Sequence, residues 1–428
     1  MAILALATLV PFGLDLDAAA LSERLRLALH PTISARDAVD GARNLVLFAG
    51  WGALWWITAR ARRPASAVVW ATLTGAALSV AIETLQLVSG TRTPSVLDVL
   101  TNTSGALAGA AGIWVGVGVA LRHKGRRSFI GIPALIFAVA YGAAVFVESA
   151  LPPFRDVTIA RVYGGPLARF RAALSHFDIR SLLSLPIIDF ILFVPLGAFL
   201  VAVLVEEGVS YGRAARLAAA FGIALAGATE ISHGFLGLQM QIGPFIVHSA
   251  AVALGAWLAS RQLPQLSRRV RGRERPLLIL SAYVVIICLW AWRPFLVQTD
   301  LGAIADQLAL SRWIPLQSHR VRVDLFSVSD VLASAFLYLP LGALLAVWPI
   351  RLRGGAAYFL PAVYVAAVTE LLQPLIAGRY FDVTDILIAS ASAAIGWAAV
   401  RRAGFRSYGE LRPRTGSGTG AGRTVRRQ

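Results

Sequence analysis

The chain of 428 residues holds a single cysteine, Cys288, inside an apolar run. A disulfide framework and a thiol metal site are therefore both excluded. Charge is scarce too, at 15% of residues, whereas a soluble domain carries about a quarter. With 57% hydrophobic residues, the chain lacks the polar surface that a cytosolic or secreted globular enzyme needs. Acids are fewer than bases, 23 against 40, and Lys124 is the only lysine. On a soluble chain a net charge of +17 would point to nucleic acid. On an apolar chain it is the arginine surplus that holds loops on the cytoplasmic side, and no nucleic-acid partner is expected.

What the chain does have is long apolar runs. They fall near 40–59, 66–90, 95–121, 129–151, 185–205, 214–238, 243–260, 276–296, 329–350, 355–378 and 382–400. Each is long enough to cross about 30 Å of hydrocarbon as a helix. A further run, Met1 to Gly13, is shorter. The expected fold is all-α, a polytopic membrane protein of about 12 transmembrane helices embedded in the lipid bilayer. Basic clusters follow alternate helices, at Arg60 to Arg63, Arg122 to Arg127, Arg213 and Arg216, Arg268 to Arg275, Arg351 and Arg353, and Arg401 and Arg402. That alternation predicts a multi-pass cell-membrane protein with both termini cytoplasmic. Segments 14–38, 152–184 and 297–328 then lie outside, and Val162 to Phe177 has the composition of an interfacial helix.

A period runs through the chain. Pro11-Phe12, Pro153-Phe154 and Pro294-Phe295 stand 142 and 141 positions apart. Each is followed by a helix with an aromatic residue four positions ahead of a glycine: Phe48 and Gly52, Phe193 and Gly197, Tyr338 and Gly342. The next helix carries an acid and a polar residue three positions on: Glu83/Gln86, Glu230/His233 and Glu370/Gln373. The organisation expected is three parallel four-helix repeats at 1–121, 128–261 and 276–401, then a disordered basic cytoplasmic tail at 402–428. Against the second copy, the first helix is short by roughly a dozen residues. A start upstream of Met1 or a stunted helix would account for that, and no basic n-region marks a signal peptide.

Carboxylates within a bilayer are costly, so those that recur are the candidate site. In the first copy they are Asp40, Asn44, Glu83, Gln86, Arg92, Asp98 and Asn102. In the third they are Asp330, Glu370, Gln373, Arg379, Asp382 and Asp385. The second copy keeps only Asp189, Glu230 and His233. Alternating helix direction puts all of these at one depth, in the outer leaflet. Plainer roles compete: Gly105-x-x-x-Gly109 as a close helix contact, Pro195 and Pro340 as kinks, Glu83/Arg92 and Glu370/Arg379 as structural pairs. His233 has no second His or Cys at ligand spacing, so no metal is expected there, and no cofactor is implied.

The order Asp40-x3-Asn44-x3-Phe48-x3-Gly52, then Glu83-x-x-Gln86, Arg92, and Asp98-x3-Asn102-x2-Gly105 resembles the VanZ-like family. Asp330, Tyr338, Pro340, Gly342, Glu370, Gln373, Arg379 and Asp385 repeat that resemblance in the third copy. The middle copy is similar in Phe193, Pro195, Gly197 and Glu230. The resemblance implies a cell-envelope membrane protein associated with resistance to the glycopeptide teicoplanin, which acts on cell-wall precursors at the outer face. The expected partner is then a cell-wall precursor or other lipid-linked ligand with a polar or cationic group, met by the acids of copies one and three. Two alternatives differ in class. One is a membrane enzyme with Glu83 or Asp98 as general base, for which no catalytic nucleophile is identified. The other is a transporter, which needs a polar path through the midplane.

Overall fold

The computed structural model describes residues 17–29, 35–59, 64–88, 94–122, 132–150, 166–175, 187–236, 240–270, 274–315, 325–348 and 360–404. Met1 to Gly13, Arg92, the side chains of Asp40 and Asp189 and the tail from 405 lie outside the described residues. Among the described residues there are fourteen α-helices and no strand. In the first unit these are α1 (Ala18–Leu29), α2 (Ala35–Thr58), α3 (Pro64–Leu87) and α4 (Val96–Arg122). The middle unit has α5 (Ala134–Ala150), α6 (Pro166–Ser175), α7 (Ile187–Glu206), α8 (Tyr211–Leu236) and α9 (Ile242–Arg269). The last has α10 (Glu274–Ala291), α11 (Leu301–Gln307), α12 (Leu325–Ala346), α13 (Leu360–Leu372) and α14 (Val383–Arg402).

The protein is an all-α polytopic membrane protein. Five described helical stretches are long and apolar enough to cross a bilayer: Ala65–Leu87, Tyr211–His233, Ile242–Arg269, Glu274–Ala291 and Val383–Arg402. Five more are apolar but shorter, among them Ala134–Ser149 and Asp330–Ala346. Helix α6 falls within the stretch read as an interfacial helix. The run at 355–378 does not stay α-helical to its end. Pro374 has no N–H to donate, and α13 tightens into a 3-10 turn at Gln373–Leu375.

The tightest pairing in each unit is between its second and fourth spanning helices, α2 with α4, α7 with α9 and α12 with α14. The cause is glycine, placed alike three times. A Cβ on Gly52, Gly197 or Gly342 would overlap the backbone of Ala106, Val252 or Ala393 on the fourth helix. In return, one on Gly109, Gly255 or Gly396 would overlap the carbonyl of Ala49, Val194 or Leu339 on the second. In lipid, helices associate through such close van der Waals approach, because the hydrophobic effect does not separate them from apolar tails. The same equivalences align Asn102 with His248 and Ala389, three positions before Gly105, Ala251 and Ser392.

Proline kinks are secured across helices. Pro195 and Pro340 lie inside α7 and α12. Three residues before each proline, the carbonyls of Leu192 and Leu337 accept bonds from the buried Tyr141 and Tyr283 hydroxyls, both at 2.7 Å. Each tyrosine stands on the first helix of the same unit and ties it to the turn that precedes the proline. Phe137, Tyr141, Phe199, Tyr283 and Trp290 then pack edge-on into one aromatic cluster that joins the middle and last units. The first unit joins the last where the Arg402 guanidinium lies over the Trp56 ring and bonds the carbonyls of Ile57 and Ala59. Because the C-terminal ends of α2 and α14 meet there, these helices run parallel. Asn44 and Asp385 accordingly lie toward the same end of the bundle.

Replacing Gly342 or Gly396 with alanine is expected to cost about 1–3 kcal/mol through backbone overpacking. The change reads as a lowered midpoint of thermal unfolding in detergent. Gly112, with nothing within 4 Å of a built Cβ, is the control. Its alanine variant should be neutral or up to ~1 kcal/mol more stable.

Candidate functional site

In all three units the acid of the third helix faces the start of the fourth. Glu83 Oε2 accepts the Ser95 backbone N–H at 2.8 Å, and Glu230 Oε2 accepts that of Gln241 at 2.8 Å. In the last unit that acid is Glu370, and the Asp382 amide lies beside its carboxyl. A buried carboxylate thus serves the orphan amides that open a helix, where the dipole also favours negative charge.

In the first unit two side-chain hydrogen bonds join the helices, while Asn102 Oδ1 is buried without a hydrogen-bond partner among the described residues. Asn44 Nδ2 donates to Asp98 Oδ1 at 2.9 Å, joining α2 to α4. Asn102 Nδ2 donates to Ser79 Oγ at 2.8 Å, joining α4 to α3. Gln86 is buried beside Glu83. Asp40 and Arg92 fall outside the described side chains. These bonds tie three helices of the unit together at one end.

The last unit holds a described cavity. A cavity of about 70 Å³ lies between α12, α13 and the turn into α14. Its walls carry Glu148, Asp330, Glu370 and Asp385 as acids and Arg293 and Arg379 as bases, with Ser334, Gln373, Tyr338, Tyr380 and Trp290 between them. Four carboxylates against two guanidiniums leave a formal excess of two negative charges. Gln373 Nε2 donates to Glu370 Oε1 at 2.6 Å, while Glu370 Oε2 is buried and has no hydrogen-bond partner among the described residues. Arg379 sits in the turn between α13 and α14, where its Nε donates to the Arg293 carbonyl at 3.0 Å. Burial first and the neighbouring Arg293 second lower it to about 10, so it stays charged near neutrality. Asp382 is buried and caps α14 by accepting the Thr384 N–H at 2.8 Å, which gives it a structural task.

The middle unit holds Glu230 and His233 as a buried pair, Nδ1 to Oε2 at 3.3 Å. At the position of Asn102 stands His248, buried and stacked on Phe193 with ring centroids 3.8 Å apart. Among the described residues no group of three or more His, Cys, Asp or Glu has metal-holding geometry.

Two charged cavity residues were not singled out from the sequence. Arg293 Nη2 donates to Glu148 at 2.7 Å, and both side chains are 11% exposed. Neither has a counterpart in the other units: positions equivalent to Glu148 hold Leu6 and Leu289, and those equivalent to Arg293 hold Val10 and Pro152. The signal available was therefore an unrepeated charge at the end of an apolar helix. Arg293→Ala should destabilise the protein by about 3–5 kcal/mol, since Glu148 is left buried and uncompensated. Chemical denaturation in micelles checks this, and Glu148→Gln combined with Arg293→Gln should recover most of the loss.

The VanZ/LLP1 family model matches residues 2–117 and again residues 277–404, and the middle unit lies between the two matched ranges. No curated protein matches the chain. No solved structure matches it either. The two matches together cover more than half of the sequence, and the chain belongs to the VanZ/LLP1 family.

Proposed function

We propose that this VanZ-like protein is a multi-pass protein of the cell membrane, both termini cytoplasmic, that binds a cationic group at its outer face. The site is the cavity of the last unit, and the ligand is the charged or polar group of a lipid-linked cell-wall precursor or a glycopeptide such as teicoplanin. The carrying observation is charge balance: four carboxylates and two arginines share one buried cavity. A cavity wall with more acids than bases favours a cationic group over a neutral one. Glu370 Oε2 is a buried acceptor in this cavity without a hydrogen-bond partner among the described residues. A volume near 70 Å³ holds on the order of five waters, or one ammonium group with its hydration partly replaced. Arg293 and Arg379 hold the acids apart and in place. The first unit, where Asn44 bonds Asp98 and Asn102 bonds Ser79, acts as scaffold in this reading.

The test uses the purified full chain in detergent, with decylammonium as the cationic probe and decanol as the uncharged control. Decylammonium should raise the unfolding midpoint and decanol should not. Glu370→Gln should weaken decylammonium binding by at least about tenfold, and Glu83→Gln should leave it unchanged. Teicoplanin or a lipid-linked precursor that competes with decylammonium would identify the natural group. Equal responses to both probes, or full binding by Glu370→Gln, would sink the proposal.

A further inference from the structure

The middle unit lacks most of the polar positions of the other two, yet its remaining polar pair reaches out of the unit's own helix end. His233 stands where the other units have Gln86 and Gln373. In the last unit Gln373 turns back to Glu370 on its own element. His233 instead bonds in two directions: Nδ1 meets Glu230 Oε2 at 3.3 Å, and Nε2 meets the Ser149 carbonyl at 2.8 Å. A carbonyl only accepts, so Nε2 carries a hydrogen and donates it. Ser149 belongs to the last turn of α5, whose carbonyls have no partner within the helix. Glu230 is itself fixed by the Gln241 amide at 2.8 Å.

The residue before Ser149 is Glu148, which points into the cavity of the last unit. From there the contacts continue without a gap. Glu148 accepts from Arg293 at 2.7 Å, and the Arg293 carbonyl accepts from Arg379 Nε at 3.0 Å. Arg293 is held further by the Trp290 carbonyl at 3.0 Å and by the Trp290 ring beneath its guanidinium, 4.8 Å from the centroid. Helix α5 packs more extensively on α12 of the last unit than on α7 of its own. One residue of the last unit's cavity lining, Glu148, is thus supplied by the middle unit.

We infer that Glu148 and His233 are positioning residues for the cation-binding cavity of the last unit, the middle unit acting as an arm that sets the Glu148–Arg293 pair against Arg379. This rests on the reading of that cavity as the binding site. It assigns a task to the degenerate unit, and it explains why a histidine stands where its counterparts are glutamines. Histidine has a second nitrogen that reaches the end of α5 while the first stays with Glu230. Glutamine has one amide nitrogen, which cannot span from Glu230 to the Ser149 carbonyl as the two ring nitrogens do.

The experiment compares His233→Phe, which removes the donor, with His233→Gln, which keeps one. Two quantities are read on the full chain in detergent: hydrogen exchange of the amides at residues 146–150, and affinity for decylammonium. His233→Phe should speed that exchange and weaken decylammonium by about threefold to thirtyfold, with size-exclusion profile and helical content unchanged. His233→Gln should restore most of both. His233→Asn, too short to reach Ser149, should behave like the Phe variant and carries the test if the latter aggregates. Wild-type exchange and affinity in both His233→Phe and His233→Asn would overturn the inference. Should decylammonium fail to bind even the wild type, the binding reading falls, and the exchange at 146–150 decides the arm by itself: faster in the Phe variant supports it, unchanged overturns it.

Discussion

The backbone-to-backbone crossing of the second and fourth helices in each unit is the constraint on which the remaining features depend. Glycines on both partners let the carbonyls of Ala49, Val194 and Leu339 approach the facing helix more closely than any side chain permits. That approach fixes the register of the two helices. Register, in turn, decides which polar residues meet at the end of the bundle. With Gly52 against Ala106, Asn44 reaches Asp98; with Gly342 against Ala393, Asp330 and Asp385 line the same cavity. Lipid supplies no driving force for helix pairing, so a fold that needs carboxylates at fixed separations sets them by steric fit and hydrogen bonds.

Given the same crossing three times, the units have diverged in what they do with the polar end. The first carries side-chain bonds between its helices there. The middle keeps an acid and a histidine and directs them toward the end of its first helix. The last leaves a cavity with more acids than bases. A repeat that evolves within one chain shares its scaffold and frees individual copies to specialise, and here the polar positions differ where the glycines do not.

Much of this was legible in the sequence, because both scaffold and candidate site repeat. The glycine four residues after Phe48, Phe193 and Tyr338, the acid of each third helix and the proline kinks all recur at nearly constant spacing. What was missed is what does not repeat. Glu148 and Arg293 have no counterparts, so a comparison of copies passes over them. The hydroxyl bonds from Tyr141 and Tyr283 to main-chain carbonyls leave no pattern in a sequence beyond two tyrosines in apolar runs. Asp382 matched the acidic pattern of a site, yet its geometry is that of a helix cap. The pairing of Glu83 with Arg92 falls outside the described residues, while Arg379 was found to bond the Arg293 carbonyl.

The central claim is that a cation is taken up by the last unit and by no other. The most direct measurement is an experimental structure of the full chain with decylammonium bound, which locates the ammonium nitrogen. The account predicts that nitrogen within hydrogen-bond reach of Glu370 Oε2, between Asp330 and Asp385. A nitrogen found instead beside Glu83 and Asp98 of the first unit, or only at the surface of the bundle, would contradict it.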